Sequence, residues 1–429
     1  MAQTILFVFD CSRPATPIPM ASFGINANGD GRLAYGRRYL EREDAFSIDP
    51  WHLPLQAMEQ LLPCQPDGSY GALSDAGPNA WGARLTARLL RKENKPLPAN
   101  PVEWFLQSKH FGSGCLAFAP SLDAPPRLGE APSRSTDLST RLLGALDQYV
   151  NDPDQELDAE TVNLLFPGSD LGGLRPKTIV MHEGVEHIAK FSRPDDVFDV
   201  PTAEFATLML AHQAGIAVPS FELRPVGNRS VLLVERFDRT EDGNRIHYLS
   251  AHSVLRPRPL SLDQREYKSS FSYAAIAEAL RPRSDAAPID AHELFRRMVL
   301  NIMVGNVDDH LRNHAFLMRE IGKFRLSPAF DICPHLEAPV RGQQIGVGAY
   351  GTASTVENAL SQCKRFFLDR TEATMIVAEV KAVVSNWRKV FADTGVSASD
   401  RYRLDACFAV ADAADAVQVN LGLAPGTGP

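Results

Sequence analysis

Two lobes of an α+β chain, carried behind a small N-terminal α/β domain, are what the sequence predicts. Three observations predict them. A hairpin, a helix and a further apolar strand follow one another between Leu164 and Arg239; from about Tyr273 the chain reads mostly helical; and a polar run, Gly305-Asn306-Val307-Asp308-Asp309-His310-Leu311-Arg312-Asn313, interrupts that helical part ahead of Phe330-Asp331. A chain of 429 residues is too long for one ordinary core, and the length favours two or three domains.

Taken in order, Ile5 to Phe9 is an apolar run of strand length, Asn26 to Gly31 is rich in turn residues, and Leu33 to Tyr39 reads as a second strand. Pro78 to Lys92 carries Trp81, Leu85 and Leu89 at helical spacing, with Pro78 suited to a helix start. That helix is expected to pack on the N-terminal unit. Residues 120–135 hold Pro, Ser and Gly in quantity, the composition of an exposed connection, and a domain boundary belongs there. A helix follows over Thr136–Val150. Thr178–Met181 and His187–Phe191, joined through Glu183-Gly184, make the hairpin; Ala203–Ala214 is a helix closed by Gly215; Val231–Phe237 is a buried strand leading into a linker. Beyond it, Leu294–Val304 is an apolar helix that delivers the polar run, and Ala315–Met318 and Lys323–Ser327 are strands leaving and returning to it. The helix near Ile376–Val384 is C-terminal core, and Trp51, Trp81, Trp104 and Trp387 are packing residues. The three domains are therefore 1–120, 121–240 and 241–429.

Composition excludes several function classes. Hydrophobic residues at 44% and charged residues at 22% describe an ordinary folded protein. A net charge of -8 argues against wrapping on nucleic acid by bulk charge. Cys11, Cys64, Cys115, Cys333, Cys363 and Cys407 are scattered without a CxxC pair, which fits a reducing cytoplasm rather than a disulfide framework or zinc ribbon. The run at Ile5 is too short for a signal core or a membrane span, so no membrane is expected.

Asp, Asn and His are common in turns, so each residue of the polar run is unremarkable alone. Together they have the spacing of phosphoryl-transfer chemistry, in which an acid receives the acceptor's proton while an amide and a second carboxylate hold metal ions. Asp308 and Asn313 stand five apart, and Asp331 follows a short hairpin that returns it to the same place. His310, His314 and Asp309 lack a second ligand pair at zinc spacing. The nucleotide half is less specific. Gly172 and Gly173, with Leu174, Arg175, Pro176 and Lys177, would let backbone approach phosphate, or form only a surface turn. Lys190, among apolar strand residues, either meets an anion with Glu204 as partner or faces solvent on an edge strand. Glu235, Arg236 and Phe237 end the next strand where a hinge would meet adenine.

At these residues the chain resembles the HipA-like serine/threonine kinases, the toxin components of bacterial toxin–antitoxin pairs, over nearly its whole length. Tyr35-Gly36, Arg38-Tyr39-Leu40 and Asp75-Ala76-Gly77-Pro78-Asn79-Ala80-Trp81-Gly82 carry the N-terminal similarity, loosely; the catalytic motif is specific. The resemblance implies a protein-kinase-like two-lobed fold with a mainly helical C-terminal lobe, and the use of ATP and Mg2+. It implies Asp308 as catalytic base, Asn313 and Asp331 as magnesium ligands and Lys190 on the phosphates. Gly172 to Lys177 would cover those phosphates, Glu235 to Phe237 would form the hinge, and His310, Leu311, Arg312 and Phe330 would complete the nucleotide contacts. It further implies a growth-inhibiting cytoplasmic toxin neutralised by a helix-turn-helix antitoxin, reaching DNA only through that partner, with a translation component such as an aminoacyl-tRNA synthetase as protein substrate. One departure stands out: Asp170 occupies the place of a regulatory serine, with Ser169 one position earlier. Self-phosphorylation is thereby lost or moved to Ser169. A small-molecule or lipid kinase, and a nucleotide-binding pseudokinase co-repressor, are the alternatives.

Overall fold

The computed structural model describes residues 5–413 except 79, 109–111, 127, 129–131, 152–164, 166–170, 172–174, 257–270 and 339. The N-terminal part is an antiparallel sheet of β1 (Ile5–Asp10), β2 (Ile18–Ile25), β3 (Gly31–Tyr35), β4 (Gln60–Leu62) and β5 (Leu116–Ala119), ordered β4-β3-β2-β1-β5. The strand expected over Leu33–Tyr39 stops at Tyr35. From Gly36 the chain turns into a short helix, Arg37–Leu40, which buries Tyr39, and the Tyr39 hydroxyl donates to the Phe46 carbonyl at 3.0 Å. β2 escaped sequence reading because it buries Met20, Ala21 and Phe23 on both faces and so shows no clean alternation.

The expected helix appears as α1 (Ala80–Lys92), and the next as α2 (Thr140–Asn151). Leu85 of α1 does not join the N-terminal core. It packs with Leu142, Leu143 and Leu146 of α2 beneath a second sheet, because its apolar side matches the α2 leucines. That sheet is β6 (Lys177–His182), β7 (Val185–Lys190), β8 (Phe221–Val226) and β9 (Arg229–Glu235), ordered β6-β7-β9-β8 and antiparallel throughout. Glu183 and Gly184 take φ of +50° and +85°, the pair of left-handed residues that a two-residue hairpin of this twist requires. Across the sheet lies α3 (Val200–Gln213), buried on nearly every side. It starts three residues before expectation because Asp199 caps it, accepting from Thr202 N and Oγ1, with a proline in its first turn. Gly215, at φ +76°, ends it.

The linker read after Phe237 contains a strand, β10 (Tyr248–Ser250). It joins β11 (Ala315–Glu320) and β12 (Lys323–Leu326) in a sheet ordered β10-β11-β12. Helices dominate the rest: α4 (Tyr273–Leu280), α5 (Ala287–Met303), α6 (Arg370–Val384) and α7 (Trp387–Asp393). Along α5, Leu294, Phe295, Met298, Val299 and Ile302 are fully buried, each contributing about 1.5–3 kcal/mol by removal from water. Trp387 stacks on Phe408, with ring centres 4.1 Å apart. Trp51 is half-buried and lies against Phe316 and Phe324, its indole N–H donating to the Ala279 carbonyl at 2.9 Å. Trp104 is half-buried, and the side chain of Trp81 lies outside the described residues. One apolar core runs from Leu6 and Phe23 of the first sheet to Leu300, Phe324 and Phe408. None of the six cysteines is disulfide-bonded. Among the described residues, no helix is long and apolar enough to cross a membrane.

Candidate functional site

A cleft of about 510 Å³ opens between the four-stranded sheet and the polar run after α5. α5 delivers that run through a sharp turn at Gly305 (φ +66°), where a β-carbon would sit 2.6 Å from the Cys407 carbonyl oxygen. Glycine is required there on both counts. Asn301, a polar residue inside the apolar run of α5, holds the turn: its Oδ1 accepts from Asn306 Nδ2 (3.0 Å) and its Nδ2 donates to Asp309 Oδ2 (2.9 Å). Tyr273 Oη (2.5 Å) and His314 Nε2 (2.8 Å) reach the same carboxylate oxygen. Burial pushes the Asp309 carboxyl up, but the adjacent His314 and the Tyr273 hydroxyl together hold it below its ordinary value. Asp309 is therefore a buried anchor. Its neighbour Asp308 is exposed and stands outside the cleft wall, its Oδ1 accepting from Gln344 Nε2 at 3.0 Å.

Asn313 and His310 line the cleft, as do Phe330 and Asp331 from the far side of the β11–β12 hairpin. Asp331 sits at φ +60°, a backbone state that Asp tolerates better than most residues. Lys190, the last residue of β7, donates to Glu204 Oε1 (2.5 Å) and to Asp331 Oδ1 (2.8 Å). This resolves the two readings of Lys190: it turns inward and is paired. The Lys190 ammonium holds Asp331 well below the usual carboxylate range. Burial pulls Lys190 down, but its two carboxylates outweigh that and raise it. Glu204 is buried and raised by desolvation despite Lys190. In the hairpin register Lys177 lies directly opposite Lys190, so two ammonium groups share one face of the sheet. Burial pulls Lys177 down to about 8.

Not every expected residue meets the cleft. Arg175 forks onto Asp196 (2.7 and 2.9 Å) and, with Pro176, stays off the wall. Leu311 is buried as packing for the loop. Gly172, Gly173 and Leu174, like Ser169 and Asp170, lie outside the described residues. Glu235, Arg236 and Phe237 do line the cleft. The Arg236 guanidinium, however, is buried against Asp238 (2.8 Å) and the Gly112 carbonyl, leaving the ring of Phe237, 5.4 Å from that of Phe330, as the apolar contact.

Sequence reasoning missed a whole wall. Asp67, Gly68, Ser69 and Asp75 from the N-terminal part enter the cleft beside His252 and Arg312. Asp67 bonds Arg312 and lies 3.3 Å from His252 Nε2, and Asp75 accepts from Ser250 N (2.8 Å) and Oγ (2.7 Å). No local pattern announces such long-range pairs; the signals in the sequence are Asp75, the first residue of the Asp75–Gly82 similarity, and Asn301, a polar residue in an apolar helix face. Among the described residues no three His, Cys, Asp or Glu side chains converge. A divalent ion here would rest on the ionised Asp331, the amide oxygen of Asn313 and ligand oxygens. That donor set fits magnesium, which takes one or two carboxylates and keeps water and phosphate oxygens. The cleft wall thus brings Lys177 and Lys190 together with Asn313 and Asp331, while Asp308 stands exposed on the neighbouring loop outside it.

A family model described as the HipA-like C-terminal domain matches residues 169–387, just over half of the chain. The serine/threonine-protein kinase toxin HipA of Shewanella oneidensis is 25% identical over 190 residues, 39% of this chain and 43% of its own. Y4mE of Sinorhizobium fredii is 29% identical over 285 residues, 65% of this chain and 61% of its own. The chain spans 36% to 61% of the length of the curated relatives it matches. Among solved structures, that of the Shewanella oneidensis HipA, HipB and operator DNA complex superposes with a TM-score of 0.62 at 14% identity, covering 92% of this chain and 95% of that one. The likeness is one of fold, and the two-lobed kinase-like α+β architecture expected from the sequence is the one the chain adopts.

Proposed function

The chain belongs to the HipA-like C-terminal domain family, and on that premise we propose that it is an ATP- and Mg2+-dependent serine/threonine protein kinase acting as the toxin of a toxin–antitoxin pair. The observation that carries the reading is Lys190 held between Glu204 and Asp331 on the cleft wall, the strand-lysine and helix-glutamate pairing by which kinases place phosphates. In this reading Lys190 and Lys177 meet the phosphates, while Phe237 and Phe330 flank the base at the Glu235–Phe237 end. Asn313 and Asp331 hold magnesium, which supplies charge neutralisation on the phosphate oxygens. Asp308 takes the proton of the acceptor hydroxyl, and Asp309 keeps the loop in place. A helix-turn-helix antitoxin is the proposed partner, supported by the fold shared with a HipA crystallised with HipB and operator DNA; DNA would be reached only through it. The proposed target is a translation component, such as an aminoacyl-tRNA synthetase, in a cytoplasmic setting.

Purified protein is incubated with γ-labelled ATP, Mg2+ and a bacterial lysate. Label is expected in protein, and Asp308→Ala is expected to lower it by about 10²–10⁴-fold, the range for losing a general base. Label in lipid or small molecules would replace the protein-kinase reading, and no label from the wild type would leave a nucleotide-binding co-repressor.

A further inference from the structure

Asp308 is exposed, and an exposed carboxylate rotates unless something holds it. Gln344 Nε2 holds it, donating to Oδ1 at 3.0 Å. The position of Gln344 is itself built. Its neighbours Gln343 and Ile345 are buried, while Gln343 N and Val347 N donate to the carbonyls of Thr352 (2.8 Å) and Gly351 (2.9 Å), so the bend turns Gln344 outward. Gly342 and Gly348 permit that bend, since a β-carbon at either would lie 2.5 Å from Thr352 O or 1.9 Å from Asn358 O. Tyr273 ties both partners to one frame: its backbone N–H donates to the Gly346 carbonyl (3.0 Å) and its hydroxyl to Asp309 Oδ2 (2.5 Å). One side chain and its own backbone thus set the separation of the Gln344 bend and the Asp308 loop.

We propose that Gln344 is a positioning residue for phosphoryl transfer: it fixes one oxygen of Asp308 and so presents the other to the acceptor hydroxyl, with Tyr273 setting the distance between them. This rests on the kinase reading above. In the step it serves, the acceptor's proton passes to Asp308, the acceptor oxygen bonds to the γ-phosphorus, and the bond to the bridging oxygen breaks with its electron pair leaving on ADP. A carboxylate held by one oxygen needs no reorientation as the proton arrives, so the effect falls on the transfer rate and not on nucleotide affinity.

The test measures initial label transfer from γ-labelled ATP with Mg2+ into lysate protein, over a range of ATP concentrations, for wild type, Gln344→Met, Gln344→Lys and Asp308→Ala. Met keeps the length and loses the donor; Lys keeps a donor. Gln344→Met is expected to lower the rate at saturating ATP about tenfold, the worth of one hydrogen bond to a charged group, with the half-saturating ATP concentration within about twofold. Gln344→Lys is expected to recover most of that rate. Unchanged rates in Gln344→Met, equal losses in Met and Lys, or a change confined to the half-saturating concentration would each overturn the positioning role while the kinase reading stands. A wild type that transfers no more label than Asp308→Ala would overturn both.

Discussion

Two clusters of paired cations and carboxylates border the same cleft and are built to opposite ends. In the first, Arg236 and Arg239 close on Asp238 and Glu186, with the Gly114 N–H donating to Asp238 at 2.7 Å and the Gly112 carbonyl accepting from Arg236 at 2.9 Å. The arginine and Asp238 side chains are almost wholly buried. Burial alone would raise Asp238, yet Arg236 and Arg239 hold it well below the ordinary range. In the second cluster, Lys177 and Lys190 face Glu204 and Asp331, but the Asp331 side chain is half exposed (50%) and Lys177 is pulled down to about 8. Both clusters balance two cations with two carboxylates, but the first is sealed from solvent while the second leaves Asp331 open to the cleft. Ionic networks of similar composition therefore divide into fastener and receptor according to whether the solvent side is sealed.

Breaking the sealed cluster should cost the most. Arg236→Met leaves Asp238 buried beside one remaining arginine and should destabilise the protein by about 3–5 kcal/mol, read from chemical denaturation. The open cluster should show the reverse. Lys190→Met should lower phosphoryl transfer about a hundredfold, as loss of one electrostatic donor does elsewhere, while unfolding shifts by less than in Arg236→Met. A larger loss of stability in Lys190→Met than in Arg236→Met would erase the distinction. The smallest effect is in pH. Lys177 carries a proton below about 8 and loses it above, and an anionic ligand prefers the charged form; affinity for ATP, measured without metal, should fall as pH rises through about 8. In Lys177→Met that fall should disappear, and a persistent slope would assign it to another group.

Much of the open cluster could be read from the sequence, and the reason is locality. Asp308 and Asn313 lie on one loop, the hairpin before Asp331 announces itself by its turn, and Lys190 and Glu204 sit on adjacent elements. Even the Lys177–Lys190 pairing was available in principle, since the two stand at equal distance from the Glu183-Gly184 turn. Five strands escaped, β2, β4, β5, β8 and β10: β2 and β5 are covered on both faces, β8 is buried only at its last residue, and β4 and β10 have three residues each. The contacts that escaped join distant parts of the chain. Asp67 meets Arg312, Asp75 meets Ser250, and Gln344 meets Asp308 only because the final packing puts them there. The packing of α1 on α2 belongs to the same class, decided by which apolar faces remain when the sheets are formed.

The wall that Asp67 and Asp75 build has a consequence for how this molecule can be divided. Trp51 plugs into the C-terminal half through the Ala279 carbonyl, Asp49 grips Arg256 at 3.1 Å, and the first sheet shares its apolar interior with the helices behind the loop. The N-terminal part is at once a rim of the cleft and a footing for the lobe beneath it. Excising it would strip the floor along with the wall, so the smallest piece able to present this cleft intact extends well upstream of the Asp308–Asn313 run.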